Sequence, residues 1–351
     1  MASTTGSFNA STAEIAWESP HADFPSLPDG SIEENKRVSC PIIRPAGLSG
    51  GEALGRACVL LHGLNERGWE KYLPWADALA QKARCAVLLF PISFHMDRAP
   101  AAWADFHAMR GVSKDRIARY PGLKASSMAN AAISERLDEA PERFYLSGLQ
   151  AAHDLGDLIG FLRGGEIPGV SPNAKLGSFG YSIGSFLLQC LSLADPAFAA
   201  AGKRFLFCGG PYLSAMTPVS KYILDSRAHE RLLDAWVYSL EDKLRADPPL
   251  ERLVMEKEGR AYLAMVDPRH PQGRRRELLS DGDTKVASLL GDEVMPRGAI
   301  LDSFAGTGVE PRFFDLPPQC THIAPFNPLG GEAASSAFEE LFDLAAEHLF
   351  G

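Results

Sequence analysis

Residues 175–194 read KLGSFGYSIGSFLLQCLSLA. The first five residues predict a short strand, and Phe186–Ala194 predict an apolar helix. Between them stands G-x-S-x-G, centred on Ser182. Glycines on both sides of a serine let strand and helix approach closely through a sharp, strained turn. Such a turn lifts the hydroxyl above the sheet edge, at a helix N-terminus whose dipole favours developing negative charge. The bare pattern fixes only three residues, and its weight comes from the strand before it and the helix after it.

Similar short apolar runs recur on either side. Val38–Arg44, Ala57–Leu61, Ala86–Phe90, Arg204–Cys208, Val286–Leu290 and Pro311–Leu316 predict strands. Fully apolar runs of this length fit strands buried on both faces of a parallel sheet. Helical spacing lies between them: Trp69–Ala83, regular from about Leu73 because of Pro74, then Phe144–Arg163 and Ser335–Phe350. Alternating strands and helices predict an α/β fold, a mostly parallel sheet with helices on both faces. Ligands of such sheets sit at the carboxyl ends of the strands.

Residues 1–36 form a leader of expected partial order, with a short strand near Ala13–Trp17. The core spans 37–210 and 285–351. Residues 93–143 lack clear periodicity and read as an insertion over a site. Residues 211–284 are a second, helical insertion, with periodic stretches at Leu232–Leu244 and Leu250–Val266 and a cluster, Arg274–Arg276, that reads as a solvated face. These insertions predict a helical cap.

The chain has 351 residues, 46% of them hydrophobic and 23% charged, with a net charge of −9. That balance supports a sizeable core and argues against general disorder. A negative surface repels phosphate backbones and argues against general nucleic-acid binding. The six cysteines have no zinc-finger or disulfide-framework spacing, so reduced thiols in a cytoplasmic setting are expected. The first residues do not read as a secretory signal, and no apolar run reaches the ~20 residues of a membrane span. No feature points to a metal or an organic cofactor, and nothing speaks to oligomeric state.

Four motifs stand in order after successive strands: VLLHGLN at 59–65, GYSIG at 180–184, GDEVMP at 291–296 and THIAPF at 321–326. Together they resemble the α/β-hydrolase superfamily of esterase- and lipase-like serine hydrolases, over roughly residues 38–350 apart from the insertions. Combined with FPISFHMDRAP at 90–100, they resemble an uncharacterised bacterial subgroup. The resemblance implies a chain order of nucleophile, acid and histidine that Ser182, Asp292 and His322 obey. It implies an oxyanion hole made by the backbone N–H groups of Leu64 and Ile183, and a structural part for His62. It further implies hydrolysis of a small-molecule, ester-type substrate through an acyl-serine. The same three side chains would also serve amide, thioester or carbon–carbon cleavage.

Rivals remain for each place. Glu293 is the main alternative to Asp292, ahead of Asp302 and Asp315. Of nine histidines, His322 and His348 follow the final strand, and His348 falls inside the predicted terminal helix. Cys320 as a nucleophile is poorly placed, since it is not at an elbow. His95, Arg98 and Tyr181 are candidate substrate contacts. For Arg98 two readings stand: a bidentate grip on a substrate carboxylate or phosphate, or a contact with Asp97 or backbone that pins its own loop. A hydrolase-like protein that binds a ligand or partner without turnover is the competing class of function.

Overall fold

The computed structural model describes residues 11–23, 28–48, 53–270, 273–280 and 282–351. Among the described residues eight strands form one sheet: β1 Ser11–Glu18, β2 Arg37–Arg44, β3 Leu54–Leu61, β4 Ala86–Phe90, β5 Val170–Tyr181, β6 Gly202–Phe207, β7 Thr284–Leu289 and β8 Arg312–Phe314. Their order is β1-β2-β4-β3-β5-β6-β7-β8. β2 runs antiparallel to both neighbours, and the remaining pairs are parallel.

The helices that fix the site follow in chain order: α1 Leu73–Ala83, α2 Phe106–Arg119, α3 Ala131–Glu139, α4 Glu142–Gly164, α5 Ile183–Ala194, α6 Ser226–Leu233, α7 Pro248–Met255, α8 Lys257–Val266 and α9 Gly331–Phe350. Strand β3 shows why its run is apolar throughout. Val59 and Leu61 join the core that α4 and α5 cover. Cys58 and Leu60 face the opposite core, against Trp75 and Leu79 of α1 and Leu341 and Phe342 of α9. With both faces covered, the period-2 alternation of a half-exposed strand has no reason to appear. Helix α4 stops at Gly165, whose φ of 79° is a left-handed cap conformation suited to glycine.

Register brings the candidate residues to one edge. Leu61 pairs with Gly180, and Tyr181 with Phe207. The chain segments after β3, β5, β6 and β7 therefore emerge side by side.

The leader differs from expectation in detail. Its strand covers Ser11–Glu18 as an edge strand, and residues 1–10 lie outside the described ones. Residues 93–143 hold two short 3-10 turns, α2 and α3. In 211–284 each expected helix is interrupted. One breaks into a π turn at Asp234–Tyr238 and a helix at Leu240–Ala246. The other divides at Glu256 into α7 and α8, where a Cβ on Gly259 would stand 2.3 Å from the Val254 carbonyl oxygen.

Arg275 also departs from the reading of its cluster as solvated. It is buried and donates to the Tyr212 hydroxyl at 3.0 Å and to the Gly210 carbonyl at 3.3 Å. Its guanidinium covers the Tyr212 ring, 4.5 Å from the centroid. The apolar stem and aromatic contacts make an inward arginine tolerable where spacing predicts an outward one.

A buried charge cluster joins residues 93–143 to residues 211–284. Arg116 of α2 is completely buried and donates through Nε and Nη2 to Asp225, at 2.7 and 2.9 Å. It also reaches Asp138 at 3.2 Å and Glu135, both on α3. Asp225 in turn caps α6 by accepting from the Ala228 N–H. Among the described residues no helix is long and apolar enough to cross a membrane.

Candidate active site

Ser182 stands between the last residue of β5 and the first of α5, with φ 55° and ψ −116°. A non-glycine residue held there stores of order 1–3 kcal/mol of strain, which the surroundings must impose. The flanking glycines show how. A Cβ on Gly180 would stand 2.7 Å from the Ser185 nitrogen, and one on Gly184 would stand 2.7 Å from the Leu61 carbonyl oxygen. Only bare backbone fits at both places. The turn is tied to its neighbours by the Ser182 N–H to the Phe207 carbonyl, 3.0 Å, and the Gly184 N–H to the His62 carbonyl, 3.2 Å.

His322 lies past β8, and its ring bridges the other two residues. Nε2 is 2.9 Å from Ser182 Oγ, and Nδ1 is 2.8 Å from Asp292 Oδ2. All three residues are buried. Asp292 follows β7 directly, and its Oδ1 accepts from the N–H groups of Val294 and Met295, each at 2.9 Å. This turn aims Oδ2 at the imidazole. A carboxylate there fixes the tautomer that leaves Nε2 free to face the hydroxyl. Glu293, Asp302 and Asp315 are exposed.

His62 is wholly buried and shapes the turn after β3. Its Nδ1 donates to the Gly63 carbonyl at 2.8 Å, so Nε2 accepts from the Ile92 N–H at 2.9 Å. Burial, with His95 nearby, holds its pKa well below the ordinary imidazole range. Among the described residues no acceptor meets the N–H groups of Leu64 or Ile183, the pair expected to form an anion hole.

The three candidate substrate contacts fare differently. His95 lines a narrow apolar cavity of about 90 Å³ with Leu64, Ile92, Ile183, Phe186 and Tyr262. Its Nδ1 donates to the Ser93 carbonyl at 2.9 Å, and burial pushes its pKa down to about 4. Arg98 does not face the cavity. It is fully buried and donates to the carbonyls of Asn35 and Pro91 and to Asp154 Oδ2, the last at 2.7 Å. These bonds occupy the guanidinium from within and tie the loop of Arg98 to α4.

Tyr181 is buried beside the histidine. Its hydroxyl donates to the His322 carbonyl, and its ring stacks on the imidazole with centroids 5.4 Å apart.

A support behind the histidine escapes sequence reasoning. The Lys71 ammonium sits 4.7 Å from the Tyr181 ring centroid, pairs with Glu66 and donates to the Ile323 carbonyl at 3.4 Å. Tyr72 donates its hydroxyl to Glu66 at 2.9 Å and accepts from the Gly63 N–H at 2.9 Å. The only sequence signal is three polar residues near HGLN, without spacing that points inward. Cys208, with φ 46°, lies beside the carboxylate: ligand-type atoms of Cys208, Asp292 and His322 fall within 4.8 Å of one another. Burial pushes that thiol's pKa well above its usual value.

A second, open cleft of about 410 Å³ meets the cavity at Leu64 and is lined by Asn65, Arg67, Trp103, Tyr222 and Ile323. The apolar cavity thus reaches Ile183, next to Ser182, and the wider, more polar cleft reaches Ile323, next to His322.

Residues 3–350 match the Family of unknown function (DUF6051). The chain belongs to that family. No curated protein matches this DUF6051 chain. Solved structures do. Carboxyl esterase 2 from the mycorrhizal fungus Tuber melanosporum superposes with a TM-score of 0.53 at 12% identity, covering 98% of this chain and 89% of the esterase. A thermostable esterase from Pseudomonas putida gives 0.52 at 13% identity, with 97% and 84% covered. A fungal esterase from Rhizomucor miehei gives 0.51 at 14%, with 97% and 85% covered. Identity this low speaks for the fold alone, and the fold is that of the α/β hydrolases.

Proposed function

We propose that this DUF6051 chain is a serine hydrolase that cleaves ester-type bonds through an acyl-serine intermediate. The observation that carries the reading is the unbroken line of hydrogen bonds from Ser182 Oγ through the His322 ring to Asp292. In this reading His322 Nε2 takes the Ser182 proton as Oγ bonds to the substrate carbonyl carbon. Asp292 stabilises the imidazolium so formed. The imidazolium then protonates the departing alcohol, and the acyl group stays on Oγ. Water, deprotonated by the same ring, releases the acid and restores the hydroxyl.

The Leu64 and Ile183 N–H groups, free of internal acceptors among the described residues, are the proposed donors to the oxyanion. Losing one such donor typically costs ~2.7–4 kcal/mol of barrier. The apolar cavity beside Ile183 suits a short or medium acyl chain, and the open cleft suits the leaving alcohol. Residues 211–284, helped by 93–143, act as the cap: Glu258 and Tyr262 of α8 wall the cavity and Tyr222 rims the cleft. Six free cysteines, five of them buried, fit a cytoplasmic setting.

The test is a panel of p-nitrophenyl esters of increasing acyl length, run beside amide and thioester analogues. Ester turnover peaking at short or medium chains is expected, falling by on the order of 10⁴-fold or more in Ser182→Ala. Turnover of none of the three classes, or turnover unchanged in Ser182→Ala, contradicts the reading.

A further inference from the structure

We propose that His21, Asp154 and Asp157 form a binding site for a divalent cation of the zinc class, separate from the serine site. His21 arrives from the segment after β1, while Asp154 and Asp157 stand three residues apart on one face of α4. His21 Nε2 is 3.1 Å from Asp157 Oδ2. One ligand-type atom from each of His21, Asp154 and Asp157 lies within 4.8 Å of the other two. Ligands held at ~2.0–2.2 Å by a tetrahedral metal stand about 3.3–3.6 Å from one another, so small side-chain shifts suffice to enclose an ion.

The second observation is Asp154 itself. It is completely buried, and its Oδ2 accepts from Arg98, but among the described residues Oδ1 has no hydrogen-bond partner. A buried carboxylate oxygen without a donor is costly, and a cation is the simplest group that would satisfy it. Charge permits one: Arg98 balances Asp154, which leaves Asp157 to balance part of the ion's charge. One imidazole nitrogen with two carboxylate oxygens favours zinc or a similar first-row ion over magnesium or calcium, whose sites are built from oxygen alone.

An entry path exists. His21 and Asp157 line an open cleft of about 600 Å³ together with His153 and Glu258. The His153 ring is 5.0 Å from that of His21, near enough to join as a further ligand after a side-chain rotation. Because Arg98 shares Asp154 and also holds Asn35 and Pro91, an ion here would brace the loop that carries His95 to the cavity.

The experiment titrates ZnCl₂ into the full chain after chelator treatment and dialysis, followed by calorimetry and thermal unfolding. One saturable site and a rise in Tm that grows with zinc concentration are expected. His21→Gln and Asp157→Asn, both at part-exposed side chains, should each weaken binding at least tenfold. His322→Ala should leave it unchanged, which separates this site from the Cys208–Asp292–His322 group. No zinc-dependent heat or Tm shift, equal binding in His21→Gln and Asp157→Asn, or loss of binding in His322→Ala would each overturn the proposal. None of these readouts depends on esterase activity.

Discussion

Around Ser182 the chain is held by shape, whereas between α2, α3 and α6 it is held by charge. At the turn, bare glycine backbones meet Ser185 and Leu61 at distances no side chain could share. Between the insertions, one buried arginine gathers three carboxylates from segments far apart in sequence. Close packing needs few residue types in a fixed order, so it leaves a motif. A buried ion cluster needs only that charges meet after folding, so it leaves none.

The difference can be broken from the charged side first. Arg116→Leu leaves the buried Asp225 without its cationic partner, while Asp138 keeps Arg227, and removing one member of a buried ion group costs about 3–5 kcal/mol. Urea unfolding should read a loss of that size. A change below ~1 kcal/mol would mean that the insertions are held by packing instead.

Acid probes the boundary between the two regions, where His95 is buried and neutral with its pKa pushed down to about 4. The unfolded imidazole titrates near 6.5, so below that pH the unfolded chain binds more protons than the folded one. Stability therefore rises with pH across the window from about 4 to 6.5 and is lost as pH falls through it, by up to roughly 3 kcal/mol from this residue. Unfolding free energies at pH 7 and pH 4.5 should differ less in His95→Gln than in the unaltered protein. An unchanged pH dependence would show that the ring is not held neutral.

On the packed side, Gly184→Ala pushes a methyl group against the Leu61 backbone. Overpacking of this kind costs about 1–3 kcal/mol, and here it also displaces the start of α5. A lower Tm together with a lower kcat is expected, and retention of both would mean that the turn has room to spare. Tyr181→Phe should have the smallest effect. It keeps the ring that stacks on His322 and removes only the hydroxyl that holds the His322 carbonyl. A net hydrogen bond of about 1 kcal/mol corresponds to roughly fivefold in kcat with KM little changed. A rise in KM alone would instead make Tyr181 a substrate contact.

The same contrast explains what could be read in advance. The core strands are legible because both faces are buried and their runs are unbroken: the apolar run Ala86–Phe90 coincides with its strand, and the run Ala57–Leu61 starts three residues inside β3. Ser182, Asp292 and His322 each follow a strand end in the sequence, and the structure brings their side chains together. Inside 211–284 the helices are shorter than the periodicity implies, since nothing in Leu250–Val266 except Gly259 announces the break at Glu256. Arg98 and Arg275 turned inward because carbonyls, an aspartate and aromatic faces gathered from distant segments await them. Tyr72, Glu66 and Lys71 were invisible for that reason too, because their partners Gly63, Tyr181 and Ile323 come from different loops and strands.

The most direct test of the central claim is covalent. A fluorophosphonate probe should form one adduct per chain, located by peptide mass at Ser182, and the adduct should vanish in Ser182→Ala and fall sharply in His322→Ala. An intact, folded chain that forms no adduct, or one whose adduct maps to another residue, would contradict the claim that these side chains make a working nucleophile.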